Sequence, residues 1–172
     1  MQKIHLKRLH FGYAGFKKHE RATRSYLDNK DLCPLLVTSG SGGKSALLAN
    51  TIRRYQVACA GTCIYYFVGV NNASMELENL LDGLAQQLEL DLGKTPDRSF
   101  QACPTKDKLE WLVKWWCANS KIKSLLIVID GLNELSSETY GVICSHTIWS
   151  GWENCRMVNF GPAGEANSVN PW

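Results

Sequence analysis

The chain has 172 residues, 45% hydrophobic and 20% charged, with a formal net charge of +3 at pH 7. That length suffices for one domain burying about two-thirds of the surface its unfolded chain exposes, and it does not hold two. The composition is globular, not disordered, and no apolar run approaches the roughly 20 residues of a membrane span. The seven cysteines, Cys33, Cys59, Cys63, Cys103, Cys117, Cys144 and Cys155, form an odd set without CxxC pairs, and the histidines are scattered. Reduced thiols in a cytoplasmic protein are the expectation, the more so because Met1–Arg8 has no apolar secretory core.

Residues 1–30 carry eight Lys or Arg against two acids. Residues 1–32 are read as a basic amino-terminal arm with a solvated surface. Nucleic acid is not expected as its partner, because it has no recognition motif and Phe11, Tyr13 and Phe16 are not spaced as a stacking platform. Leu35–Thr38 is short and apolar, as a strand buried on both faces should be. From Lys44 to about Tyr55 the positions Ala46, Leu47, Ile52 and Tyr55 follow helical spacing, and Thr62–Val70 is a β-branched and aromatic strand. Ser74 is placed as the N-cap of a helix whose stripe is Leu77, Leu80, Leu81, Leu84 and Leu88. Residues 91–104 read as loop. Thr105 then opens a helix with the stripe Leu109, Leu112, Val113, Trp116 and Cys117, flanked by Trp111 and Trp115, which are read as core or boundary packing. Leu125–Asp130, LLIVID, is the most apolar strand and is placed centrally. Residues 141–172 have no sustained periodicity and are read as an irregular tail.

Between the first strand and its helix lies Ser39-Gly40-Ser41-Gly42-Gly43-Lys44-Ser45-Ala46. Small residues there let successive N–H groups curl around a phosphate, the helix behind points its positive end at the anion, Lys44 reaches the outer phosphates, and the Ser45 hydroxyl ligates Mg²⁺. The usual spacing, GxxxxGK[ST], calls for glycine where Thr38 stands. Either Thr38 replaces that glycine or the loop is one residue short and the strand ends at Thr38. A phosphate loop also needs a carboxylate beyond Mg²⁺, at the end of a buried strand next to the loop, and Asp130 meets that requirement. Glu134, four residues on, is the candidate to orient or deprotonate an attacking water, and Asn133 can only hydrogen-bond. Nucleotide binding is therefore assigned to Ser39–Ala46, the metal to Ser45 and Asp130, and catalysis to Glu134.

The segments LLVTSGSGGKSALLANTI, YYFVGVNNASMELENLLDGLAQQLE and LLIVIDGLNEL together resemble the first half of a NACHT-type NTPase module of the STAND class, most of all its nephrocystin-like and tetratricopeptide-repeat-linked members. The resemblance spans about residues 33–140. It implies a P-loop NTPase-like three-layer αβα fold with a mainly parallel sheet, incomplete here, ATP and Mg²⁺ as cofactors, and a switch whose nucleotide state governs packing on other proteins. Asn133 stands where many members place an acid, and Arg156 is the only Lys or Arg after Glu134. Hydrolysis is accordingly expected to be weak or absent, and the chain reads as a partial module from a longer protein. Two other classes stay open at this point: a scaffold or interfering fragment that binds no nucleotide, and a small P-loop kinase or NTPase.

Overall fold

The computed structural model describes residues 1–11, 13, 15, 17–28, 35–38, 43–58, 61–120, 125–135 and 155–161. These residues form a mixed α/β structure, mostly helical, around a small parallel sheet. In chain order the elements are α1 (Gln2–Phe11), α2 (Lys17–Asp28), β1 (Leu35–Thr38), α3 (Lys44–Ala58), β2 (Thr62–Phe67), α4 (Leu77–Leu92), α5 (Arg98–Ala102), α6 (Lys108–Asn119), β3 (Leu125–Asp130) and β4 (Cys155–Gly161). Single 3-10 turns lie at Asn72–Met75, Thr105–Asp107 and Leu132–Glu134. Among the described residues no helix is long and apolar enough to cross a membrane.

The strands lie in the order β1-β4-β3-β2, every neighbouring pair parallel. β4 corrects two expectations. Part of the segment read as an irregular tail is a strand, with Val158 opposite both Leu35 of β1 and Val128 of β3. The strand that ends in Asp130 is therefore not next to the strand that leads into the glycine-rich loop, because β4 lies between them. The local pattern of CRMVNFG does not announce a strand, since a strand paired on both edges is specified by its neighbours' backbones as much as by its own alternation. The other residues of 141–172 lie outside the described residues.

Both faces of β2 and β3 are covered, which is why the two strands read as near-continuous apolar runs. Ile64, Tyr66 and Val68 with Leu125, Ile127 and Ile129 join Leu80, Leu84 and Leu88 of α4 and Leu112 and Trp116 of α6 in one core cluster. The alternate residues, Tyr65, Phe67, Leu126 and Val128, pack with Leu47, Leu48, Ile52 and Tyr55 of α3 in the other. Trp111 and Trp115 sit partly buried against the first cluster, as their flanking positions suggested, whereas Cys117 falls on the exposed side of α6.

Several boundaries move. β2 stops at Phe67, and Gly69, at φ +78°, turns the chain. Asn71 caps the following 3-10 turn: its side chain accepts from the Ser74 N–H at 2.8 Å while the Asn71 N–H donates to Ser74 Oγ at 3.1 Å. Ser74 therefore closes a capping box and does not itself cap α4. α5 interrupts the segment read as loop, with Asp97 as its N-cap.

The basic segment is not a solvated arm. It holds two helices, and Leu6, Leu9, Tyr13 and Leu27 pack against the α3 side of the sheet. β2 is an edge strand, and its outward-facing backbone groups at Tyr65 and Phe67 are each met by a glutamine. The Tyr65 N–H donates to Gln87 Oε1 at 3.1 Å and Gln87 Nε2 donates to the Tyr65 carbonyl at 2.8 Å. Gln2 does the same at Phe67, accepting at 2.9 Å and donating at 3.1 Å. A primary amide presents a donor and an acceptor side by side, so each glutamine stands in for one residue of a missing strand and blunts an edge that invites pairing with another chain.

Gly83 lets α4 approach β2. A Cβ there would stand 2.8 Å from Cε2 of the buried Tyr66 ring. Gly83→Ala should therefore destabilise by about 1–2 kcal/mol in urea unfolding, overriding the ~1 kcal/mol that alanine gains over glycine inside a helix. A chain ending at Tyr140 lacks the strand between β1 and β3, and should lose its single cooperative transition instead of unfolding as the full chain does.

Candidate functional site

β1 covers Leu35–Thr38. Ser39, Gly40, Ser41 and Gly42 lie outside the described residues, as does the Thr38 side chain. The structure resumes at Gly43, which adopts φ +84°, a backbone region closed to most side chains. Its carbonyl accepts from the Leu47 N–H at 2.9 Å, so Gly43 immediately precedes the first helical residue, Lys44. α3 runs 15 residues, and its buried Leu47, Leu48, Ile52 and Tyr55 anchor it on the sheet. The amino end of that helix, with its positive dipole, is thereby held at the carboxyl edge of the sheet.

Asp130 ends β3 and stands opposite Phe67 of β2. Gly131 follows in a left-handed turn at φ +76°, where a Cβ would lie 3.0 Å from the Val68 carbonyl oxygen, so glycine is required for the chain to leave the strand so closely. The Asp130 carboxylate is drawn two ways. Burial pushes its pKa up, while hydrogen bonds from the Ser45 hydroxyl and the Gly131 N–H, with the nearby charges of His5 and Lys44, pull it down, and burial wins. Ser45, Lys44 and Asp130, far apart in sequence, are thus brought to one corner. A hydroxyl and a carboxylate meeting beside a lysine at a helix amino end is the donor set of a hard divalent cation that also carries phosphate oxygens.

Ala46 belongs to the first turn of α3 and is half-buried. Glu134 lies at the end of the turn after β3, exposed, with its Cγ 3.4 Å from where a Cβ on Gly69 would stand. It belongs to the same carboxyl edge and leans over the turn that follows β2. The Asn133 side chain lies outside the described residues.

Two residues that the sequence did not point to also reach this corner. Gln2 holds the backbone of Phe67, the register partner of Asp130. The His5 ring meets the Phe67 ring edge-on, with centroids 5.1 Å apart. Their signal in the sequence is only a basic, weakly patterned helix, which local reasoning assigns to solvent.

A family model described as Nephrocystin 3, N-terminal, matches residues 16–157, a span that runs from the start of α2 into β4. No curated protein matches the chain.

Because folding raises the Asp130 pKa, the native state holds that proton more tightly than the unfolded chain. This carboxyl's contribution therefore falls as pH rises from below its unfolded value through its native one. Asp130→Asn, which keeps the acceptor but not the charge, should raise the melting temperature of the nucleotide-free protein by a few degrees at neutral pH. The gain should shrink below about pH 4, where aspartate loses its charge in both states. Thermal melts of both proteins across pH 3.5 to 8 measure it.

Proposed function

The chain belongs to the Nephrocystin 3, N-terminal, family, and on that footing we propose that it is a partial NACHT/STAND-type P-loop module that binds ATP with Mg²⁺ and acts as a cytoplasmic regulatory switch on other proteins. The observation that carries the reading is one of placement: Lys44 and Ser45 open α3 and Asp130 closes β3, with the Ser45 hydroxyl and the Lys44 charge both acting on the buried Asp130 carboxylate. The sheet supports it. β1 leads through the glycine-rich segment into α3, and α3 crosses one face on its way to β2, as in the three-layer P-loop architecture.

In this reading the amides of Ser39–Ala46 cradle the phosphates, Lys44 neutralises the outer ones, and Ser45 ligates Mg²⁺ directly. Asp130 binds the ion or a water of its shell. Glu134 is the candidate to orient an attacking water, and hydrolysis is weak or absent. Efficient phosphoryl transfer needs further cations around the departing phosphate, and among Lys and Arg after Glu134 the chain has only Arg156, on β4. Binding energy that depends on the state of the γ-phosphate suits a switch more than a catalyst.

Titration of the purified protein with a fluorescent ATP analogue, with and without Mg²⁺, tests the reading. Lys44→Ala should lose at least about 10-fold in affinity, a fair expectation for a charge-assisted phosphate contact. Asp130→Ala should bind with no dependence on Mg²⁺. Equal binding by wild type and Lys44→Ala would overturn the assignment. Phosphate release should be slow in wild type and slower in Glu134→Gln.

A further inference from the structure

We propose that α1 is a strap across the metal and phosphate corner, docked in the nucleotide-free protein and displaced when Mg²⁺ and nucleotide load. The proposal rests on the nucleotide reading above and assigns that site a regulator within the same chain.

The geometry places α1 there by three separate contacts. The Gln2 amide clamps both backbone groups of Phe67, at 2.9 and 3.1 Å, one residue across the register from Asp130. The His5 ring packs edge-on against the Phe67 ring at 5.1 Å, at an interplanar angle of 64°. Leu6 and Leu9 rest on the cluster built from Leu47 and Leu48 in the first half of α3. The helix thus spans from the end of β2 to α3, the element whose first turn carries Lys44 and Ser45. It also lies outside the span that the family model matches, which begins at residue 16.

Its hold lies at the surface, where His10 also meets Arg53 of α3. α1 has no fully buried residue, and it exposes Ile4 at 59% and Phe11 at 96%. A 10-residue helix with so little apolar cover has small intrinsic stability, so its order depends on docking. Loading acts on the docked state directly. A divalent cation shared by Ser45 and Asp130 loads beside Phe67, the register partner of Asp130 on whose ring His5 rests, while phosphates load at the amino end of α3. A ligand moves an equilibrium only by its differential affinity for the two states, and here the seat of α1 on Phe67, the register partner of Asp130, supplies the difference. Reciprocity then requires that loosening α1 tighten nucleotide binding by the same factor.

The full chain is compared as wild type, Gln2→Leu and His5→Ala, with Lys44→Ala as the control for binding. The leucine keeps the bulk of Gln2 without its paired amide. Hydrogen exchange is followed in the peptide covering residues 2–11 and at the Phe67 amide, with and without Mg²⁺ and the ATP analogue. Mg²⁺·nucleotide should speed exchange in α1 by about 5-fold or more in wild type, and Gln2→Leu should show fast exchange without ligand and bind the analogue about 5-fold more tightly. Binding that appears only in Gln2→Leu or His5→Ala would support the strap in its strongest form. Equal affinities in wild type and both variants, with α1 exchange indifferent to ligand, would overturn the strap and leave the nucleotide site standing. Weaker binding in Gln2→Leu would overturn it too, by making α1 part of the binding site. No binding in any variant would remove the nucleotide reading and the strap together.

Discussion

The Ser45 hydroxyl acts on the Asp130 carboxylate from a helix that follows β1, a strand that is not the neighbour of β3. β4 stands between β1 and β3, so the ends of the strands that serve the site are two strand spacings apart, about 10 Å. α3 then has to cross from β1 at one edge of the sheet to β2 at the other. Its course over β3 explains why Leu47 and Leu48 pack with Leu126 and Val128 as well as with Tyr65 and Phe67. Shift the register of β3 by one residue and Asp130 leaves the corner, while every core side chain of that strand changes faces.

Two glycines hold the corner where no other residue would. Gly43 lets the chain enter α3 at a positive φ, and Gly131 lets it leave β3 almost in contact with the carbonyl of Val68. Between them they fix the approach of a hydroxyl to a carboxylate that burial disfavours as an anion. The folded chain therefore holds this carboxyl more comfortably protonated than charged.

The outer edge of β2 ties the remote parts of the fold to this corner. Gln87, from α4, and Gln2, from α1, each satisfy one residue's exposed backbone pair, so the same device both blunts the edge and seats two helices. The difference lies in what stands behind each glutamine. α4 is anchored by Leu80, Leu81, Leu84 and Leu88, all fully buried, whereas α1 has only partly buried leucines. α4 is fixed through its core, whereas α1 is held at the surface, by its amide, an aromatic edge, Leu6 and Leu9, and the contact of His10 with Arg53 of α3.

Most elements were legible as local patterns. LLVT, TCIYYF and LLIVID are short apolar runs, the leucine stripe of α4 repeats at helical spacing, and the glycine-rich turn before Lys44 carries its own chemistry, so strand, helix and loop assignments followed from neighbours within a few residues. The candidate side chains Lys44, Ser45 and Asp130 could be named for the same reason: each sits at a chain position that one element's end defines. What the sequence does not contain is any statement about which edges meet. β4 is a strand because β1 and β3 offer backbone groups on either side of it, and α1 docks at the edge of β2 because a glutamine amide can imitate a strand residue at Phe67. Both outcomes depend on hydrogen-bonding partners many tens of residues away, and backbone N–H and C=O groups are the same at every position. Local pattern therefore determines what each segment can become, and only the assembled sheet, with its particular open and occupied edges, decides where it goes.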